Sequence, residues 1–241
     1  MPVWAIESEG VFKSFGLKPA LQGIDLKVKI GEFLTVFGPN GAGKTTLIKV
    51  LSSLSKPDSG RVLINGLDAG RHAAEARRSI GLVSHQTFLY DNLTAYENLR
   101  FYGRMFDVPN PDKRIREVIA KVGLTSRLHD RVRTFSRGLQ QRLSIARAIL
   151  HQPPILLLDE PETGLDQMAL TLLKETVHPD SSGTDERRTV LMATHNLERG
   201  LAMGDRAIVL VEGKVAYEQS TQALDLAHFC ATYLQLAGVR E

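Results

Sequence analysis

A chain of 241 residues with 43% hydrophobic and 24% charged content has the size of one large domain, or one domain with a subdomain, and a soluble globular composition. No apolar run approaches the roughly 20 residues of a membrane helix, and the start M-P-V-W-A-I-E-S-E-G lacks the basic and apolar regions of a secretory signal. A net charge of +3 without a dense Lys/Arg run argues against nucleic-acid binding, the single Cys230 excludes an internal disulfide and a cysteine metal site, and the scattered histidines show no metal-ligand spacing; the chain reads as cytoplasmic.

In chain order, V-F-K-S-F-G-L-K-P-A-L reads as a strand followed by a loop, with Phe15 near the bend. Ile24, Leu26 and Val28 alternate with polar neighbours, the pattern of a half-exposed strand. Residues 33–37 are continuously apolar, as in a strand covered on both faces of a parallel sheet. G-P-N-G-A-G-K-T-T follows, then an amphipathic helix over residues 47–54. P-D-S-G at residues 57–60 predicts a turn, and Asn65-Gly66 a hairpin. Residues 80–84 form another buried strand leading to Gln86.

From residue 93 the spacing becomes helical, over 93–106 and 112–122, with a break at 108–111 and a short helix over 124–128. Leu139, Leu143, Ala146 and Leu150 share a helical face, with Arg142 and Arg147 off it. Pro153-Pro154 ends that helix. Residues 155–158 are the most apolar strand and deliver Asp159 and Glu160 at its carboxyl end. Residues 166–177 read as helix, 178–188 as a polar loop, and 189–193 as a strand ending at Thr194-His195. A hairpin over 205–217 turns at Glu212-Gly213, and 221–236 is a helical tail. Strands alternating with helices, with polar side chains at strand ends, predict an α/β fold around a mainly parallel sheet that binds along its carboxyl edge.

The glycine loop carries the chemistry. Gly38, Pro39, Asn40, Gly41, Ala42, Gly43, Lys44, Thr45 and Thr46 lie between a strand and a helix, the context of a phosphate-binding loop. Its glycines let several N–H groups face one point, and the helix dipole favours a polyphosphate there. Lys44 is expected to reach the β- and γ-phosphates and the Thr45 hydroxyl to ligate Mg²⁺. Asp159 at a strand end suits a Mg²⁺ ligand, direct or through water; Glu160, one residue on, suits the base that activates the attacking water. Gln86 can reach Mg²⁺ or that water, or act as a hinge or a plain turn residue. His195 can bond the γ-phosphate, hold water and base in line, or be purely structural. F-S-R-G-L-Q-Q-R at 135–142 opens a helix with Ser136 and Gly138, a second anion-binding end that one chain with one phosphate loop does not need, but a dimer could use.

With these motifs in this order, the chain resembles the ATP-binding subunit of an ABC transporter. Residues 38–46 match Walker A, Gln86 the Q-loop glutamine, and 135–140 the signature position. Residues 155–160 match Walker B with its catalytic glutamate, Gly164-Leu165-Asp166 the D-loop, and His195 the switch histidine. Phe15 falls where the family places an aromatic on adenine. The resemblance implies a P-loop NTPase fold: a RecA-like core with an antiparallel β-subdomain (1–86 and 153–220), an α-helical subdomain carrying the signature (87–152) and a helical tail (221–241). It implies ATP and Mg²⁺ as ligands, and hydrolysis at two ATPs sandwiched between two such domains. Ser136 and Gly138 would then touch the partner's γ-phosphate. It also implies a separate membrane permease and a place on the cytoplasmic face of the cell membrane.

The signature departs from L-S-G-G-Q, with Phe135, Arg137 and Leu139 in place of Leu, Gly and Gln, and Glu162 replaces a commoner neutral residue. Arg137 cannot copy a flexible glycine, but its charge could lie near the partner's phosphates. Residues 83–102 and 135–150 are similar to the ATPases of haem exporters for cytochrome c maturation. Exporter ATPases for drugs, lipids or polysaccharides share much of this text and stand as the alternative, with a soluble assembly ATPase beside them. Phe88, Leu89 and Tyr90 could receive a permease helix or be ordinary packing.

Overall fold

The computed structural model describes residues 3–161 and 187–238. Its strands form two sheets. Strands β1 (Trp4–Phe15), β2 (Lys18–Lys29), β4 (Ser59–Ile64) and β5 (Leu67–Asp68) make an antiparallel sheet of order β2-β1-β4-β5. The stretch after Phe15, expected as a loop, is instead a tight turn at Gly16-Leu17 from which β2 starts at once, because Lys18 pairs back onto Phe15. Ser59 and Gly60, expected in a turn, already belong to β4. The Asn65-Gly66 hairpin forms as the sequence predicts, with φ of 50° and 79°.

The second sheet has the order β10-β9-β3-β8-β7-β6. It contains β3 (Phe33–Phe37), β6 (Ile80–Val83), β7 (Ile155–Asp159), β8 (Thr189–Ala193), β9 (Arg206–Val211) and β10 (Lys214–Ser220). Pairing is parallel from β9 to β6, and β10 closes the edge antiparallel. Every residue of β3, β7 and β8 is buried, because the sheet is covered on both faces and the side chains alternate between them. Leu34, Val36, Ile155, Leu157, Leu191 and Ala193 pack toward α1 (Lys44–Leu51) and the antiparallel sheet. Phe33, Leu156, Leu158, Val190 and Met192 pack toward the helices α3 (Ala95–Met105), α4 (Pro111–Lys121) and α5 (Arg137–Ile149).

Local chemistry sets these helix ends. Thr94 and Glu97 form a capping box on α3. Pro111 opens α4 and Ser136 caps α5. Arg114 of α4 donates to the carbonyls of Ile149 and Leu150 at 2.9 and 3.0 Å, satisfying the end of α5. The helix expected over 47–54 begins earlier, at Lys44, and stops at Leu51 before Ser53 turns left-handed at φ 57°. Arg147, expected off the apolar face of α5, is buried. A short helix α2 (Ala73–Arg78) had no clear signal. Beyond β8, α6 (Leu197–Met203) and α7 (Leu226–Ala237) follow, and Phe229 of α7 packs on Phe37 and Tyr217. No described helix is long and apolar enough to cross a membrane. The D-loop residues 164–166, Glu162, the helix expected over 166–177 and most of the polar loop after it lie outside the described residues.

Candidate active site

Residues from β3 and its following loop form one wall of the site. Phe37 ends the strand, and the backbone then curls through Gly38, Gly41 and Gly43 at φ of 154°, 82° and 106°. Two of these glycines have no room for a side chain. A Cβ at Gly38 would meet the Leu210 carbonyl oxygen at 2.4 Å, and one at Gly43 would meet the Ala20 oxygen at 2.4 Å. The loop is therefore wedged between β9 and the start of β2.

A cavity of about 330 Å³ opens over the loop. It is lined by Asn40 through Thr46, by Phe15, Lys18, Pro19 and Ala20 of the first hairpin, and by Glu160. The structure thus brings Phe15 to the phosphate loop, on a strand where Lys13 Nζ stands 5.8 Å from its ring centroid. The sequence reading missed Lys18, Pro19 and Ala20. Their only signal was position, since strand pairing places the start of β2 across from Phe15.

Lys44 is buried and folded back, its Nζ donating to the carbonyls of Gly38 at 2.7 Å and Pro39 at 3.2 Å. Burial pulls its pKa down from the ordinary lysine value, and the carboxylates of Glu160 and Asp159 partly offset that. Thr45 Oγ1 donates to Asp159 Oδ1 at 3.1 Å, so α1 and β7 meet at this bond. Asp159 is 2% exposed, and burial raises its pKa despite the Thr45 bond. A hydroxyl and a desolvated carboxylate side by side offer hard oxygen ligands to Mg²⁺, which is commonly held by few protein groups plus phosphates and waters. The described residues hold no larger cluster of His, Cys, Asp or Glu suited to a metal.

Glu160 is left-handed at φ 46°, a strained setting for a side-chain residue, and its N–H donates to Ala193 O at 2.9 Å. That bond pins the end of β7 to the end of β8. It brings Glu160 Oε1 within 3.7 Å of His195 Nδ1, two residues beyond β8. Gln86 is exposed and does not line the cavity; Ser84 Oγ holds its carbonyl at 2.8 Å. Ser136 and Gly138 also stand apart from the cavity. Ser136 is exposed and its Oγ accepts from Leu139 N at 3.4 Å. One chain therefore gathers the loop, Phe15, Asp159, Glu160 and His195, and leaves Gln86, Ser136 and Gly138 outside.

A phosphate loop at the carboxyl edge of a parallel sheet, with a carboxylate pair at the neighbouring strand end, defines a nucleotide-hydrolysing α/β domain. The chain belongs to the ABC transporter family, whose sequence pattern matches residues 21–163, and it is an ATPase of that family. It is 39% identical over 217 residues to the uncharacterized ABC transporter ATP-binding protein YdbJ of Bacillus subtilis (strain 168), covering 90% of this chain and 70% of that protein. It is 36% identical over 212 residues to the linearmycin resistance ATP-binding protein LnrL of the same organism, covering 87% and 67%. Among solved structures, the dimeric post-hydrolysis ATP-binding cassette MJ0796 bound to ADP and Pi aligns with a TM-score of 0.80 at 29% identity. That alignment covers 91% of this chain and all of that one.

Proposed function

We propose that this chain is the Mg²⁺-dependent ATP-hydrolysing subunit of an exporter, acting as a dimer beneath a separate membrane permease. The observation that carries this reading is the meeting of Thr45 with Asp159, and of Glu160 with His195, beside one glycine loop. Phe15 offers a ring for the base, and the loop N–H groups with Lys44 take the phosphates. Thr45 and Asp159 would hold Mg²⁺, which when bound spreads charge off the phosphate oxygens. Glu160 takes a proton from water as the water oxygen bonds to the γ-phosphorus and the bond to the ADP oxygen breaks. His195 holds the Glu160 carboxylate and faces the departing phosphate. Gln86 serves Mg²⁺ or the water once it moves in, and Ser136 and Gly138 complete the site of a partner copy.

An exposed patch supports a separate permease. Tyr90, Phe101 and Met105 are each more than two-fifths exposed, and the Tyr90 and Phe101 rings pack edge to face at 5.1 Å. Phe88 and Leu89 turn inward instead, so Tyr90 alone of that trio stays available to a permease helix. For cargo, the relative named for linearmycin resistance supports the wider exporter reading over haem, which rests on residues 83–102 and 135–150 alone.

Glu160→Gln tests the mechanism. The variant should bind ATP normally and lose turnover by a factor of about 10² or more, the usual scale for a positioned base. Phosphate release and ATP binding are measured together, with a search for any phosphorylated product. Near-normal hydrolysis would remove Glu160 as the base, and a phosphorylated product would turn the reading toward a kinase.

A further inference from the structure

One buried charge has no part in the chemistry above. Arg147 of α5 is 8% exposed, and no carboxylate pairs with it among the described residues. Its Nη2 donates to Leu82 O at 2.6 Å, while Nε has no hydrogen-bond partner. The guanidinium lies 5.4 Å from the Phe88 ring centroid and 5.3 Å from that of Tyr102. Among the described residues, two aromatic faces thus stand where a counter-ion would. Burial pulls its pKa down to about 10, so the group remains charged at neutral pH.

Those two rings matter because of where Phe88 sits. Its φ is 56°, a conformation that a bulky side chain adopts only where its surroundings impose it. The Tyr102 hydroxyl donates to the Phe88 carbonyl, and Arg147 covers the Phe88 ring. The rest of the segment is tied in the same way. Gln141 Nε2 donates to Ser84 O at 3.2 Å. Asn98, fully buried, accepts from Tyr90 N at 2.8 Å and donates to Tyr90 O at 3.1 Å. Gln86 is therefore the exposed crest of a strap, residues 84–90, tied by side chains of α3 and α5. The same strap carries Tyr90 to the exposed patch.

We propose that Arg147 and Tyr102 are positioning residues that hold Phe88 left-handed and thereby set where Gln86 stands relative to the nucleotide site. This rests on the proposed role of Gln86 toward Mg²⁺ or the attacking water. A shift of α3 and α5 would then carry Gln86 with it, because the strap's side-chain ties run to those helices.

Tyr102→Phe removes one hydroxyl and keeps the ring. It should lower kcat about tenfold, the scale of one lost hydrogen bond to a part-buried carbonyl, with the KM for ATP unchanged and the Mg²⁺ requirement raised. Without nucleotide, amide hydrogen exchange over residues 86–90 should speed up by a similar factor, with no change in α1. Arg147→Lys keeps the charge, loses the broad guanidinium over the two rings, and should act in the same direction. Gln86→Ala should likewise lower kcat and raise the Mg²⁺ requirement, and Gln86→Ala with Tyr102→Phe should fall no further. Unchanged exchange and kcat in Tyr102→Phe, or a double variant reduced by the product of the two, overturns the clamp. Full activity in Gln86→Ala overturns the role of Gln86 and the proposal built on it; the exchange result then tells that failure from a failure of the clamp.

Discussion

The phosphate loop and the strap of residues 84–90 both follow a strand of the same sheet, yet they are fixed by opposite means. The loop is specified by what is missing. Gly38 and Gly43 bring backbone against the carbonyls of Leu210 and Ala20, where no side chain fits. The strap is specified by what is added: a phenol and two amides bond to it from α3 and α5, and the Arg147 guanidinium lies over its Phe88 ring. Backbone wedged against backbone has one arrangement and fails abruptly. Side-chain ties can be loosened one at a time, so the strap can move in steps while the loop stays put.

The sharpest way to break that contrast is within the loop. Gly43→Ala places a Cβ 2.4 Å from the Ala20 oxygen at a φ of 106°. The overlap cannot be relieved without parting the loop from β2, so nucleotide affinity should fall by a factor of about 100 or more. Gly41→Ala has φ 82° but nothing within 4 Å, so it carries only the backbone strain and should lose about tenfold. Titrating a fluorescent nucleotide into both variants ranks them. Equal losses would mean that the wedge against β2 does not define the loop.

A smaller effect tests the side-chain-built region. His151, just after α5, stacks on Phe106 with centroids 4.0 Å apart, and its Nε2 lies 3.1 Å from Ile80 O. That carbonyl can only accept, so Nε2 carries the hydrogen; Nδ1 is buried without a partner. Protonation would put a charge there, and burial, with Arg147, Arg114 and Arg188 nearby, lowers the pKa to about 4 against the hydrogen bond to Ile80. The unfolded chain takes up the proton first, near its ordinary 6.5. This contribution to stability is therefore complete above pH 6.5 and lost as pH falls toward 4, by roughly 3 kcal/mol across that window. Thermal unfolding of wild type and His151→Phe at several pH values should show a shallower acid slope in the variant. Parallel slopes would dismiss the histidine as the cause.

The same contrast explains what was legible in the sequence. The loop, β3, β7, β8 and the Asn65-Gly66 hairpin follow from local patterns: glycine spacing, short runs that are mainly apolar, with a threonine in β3 and in β8, and a two-residue turn. The gathering of Asp159, Glu160 and His195 followed from strand-end position in a parallel sheet. Arg147 misled, because a charged residue beside an apolar helical stripe reads as solvated. Only the fold puts the rings of Phe88 and Tyr102, from distant positions, around its guanidinium. For Phe88 and Leu89 the sequence leaves docking and ordinary packing both open, and the fold takes the second: Leu89 packs on the core and the Phe88 ring lies against Arg147. The site's hairpin wall of Lys18, Pro19 and Ala20 depends on register between β1 and β2, which no short motif encodes.

The mildest test concerns Phe15, which lies at the cavity rim and is 57% exposed. Its strand is steadied by Asp58, which accepts from Lys13 Nζ at 2.7 Å and from Ser14 N at 2.6 Å, while Asp58 N donates to Phe12 O at 2.8 Å. Those bonds hold Asp58's pKa below its ordinary value, the Lys13 hydrogen bond first and the Ser14 bond second. Lys13 is thereby kept beside the Phe15 ring, on the strand that presents that ring to the base. The group is open to solvent, so water replaces much of what is lost when it is removed. Asp58→Ala should accordingly raise the KM for ATP by only about two- to threefold and leave kcat alone, because the phosphate loop and Glu160 are untouched. Phe15→Ala should raise KM further, and combining the two should add little, since Asp58 acts through the ring. A KM that Asp58→Ala leaves unchanged would make the ion pair a surface ornament, and a fall in kcat would show that the hairpin reaches the chemistry as well as the base.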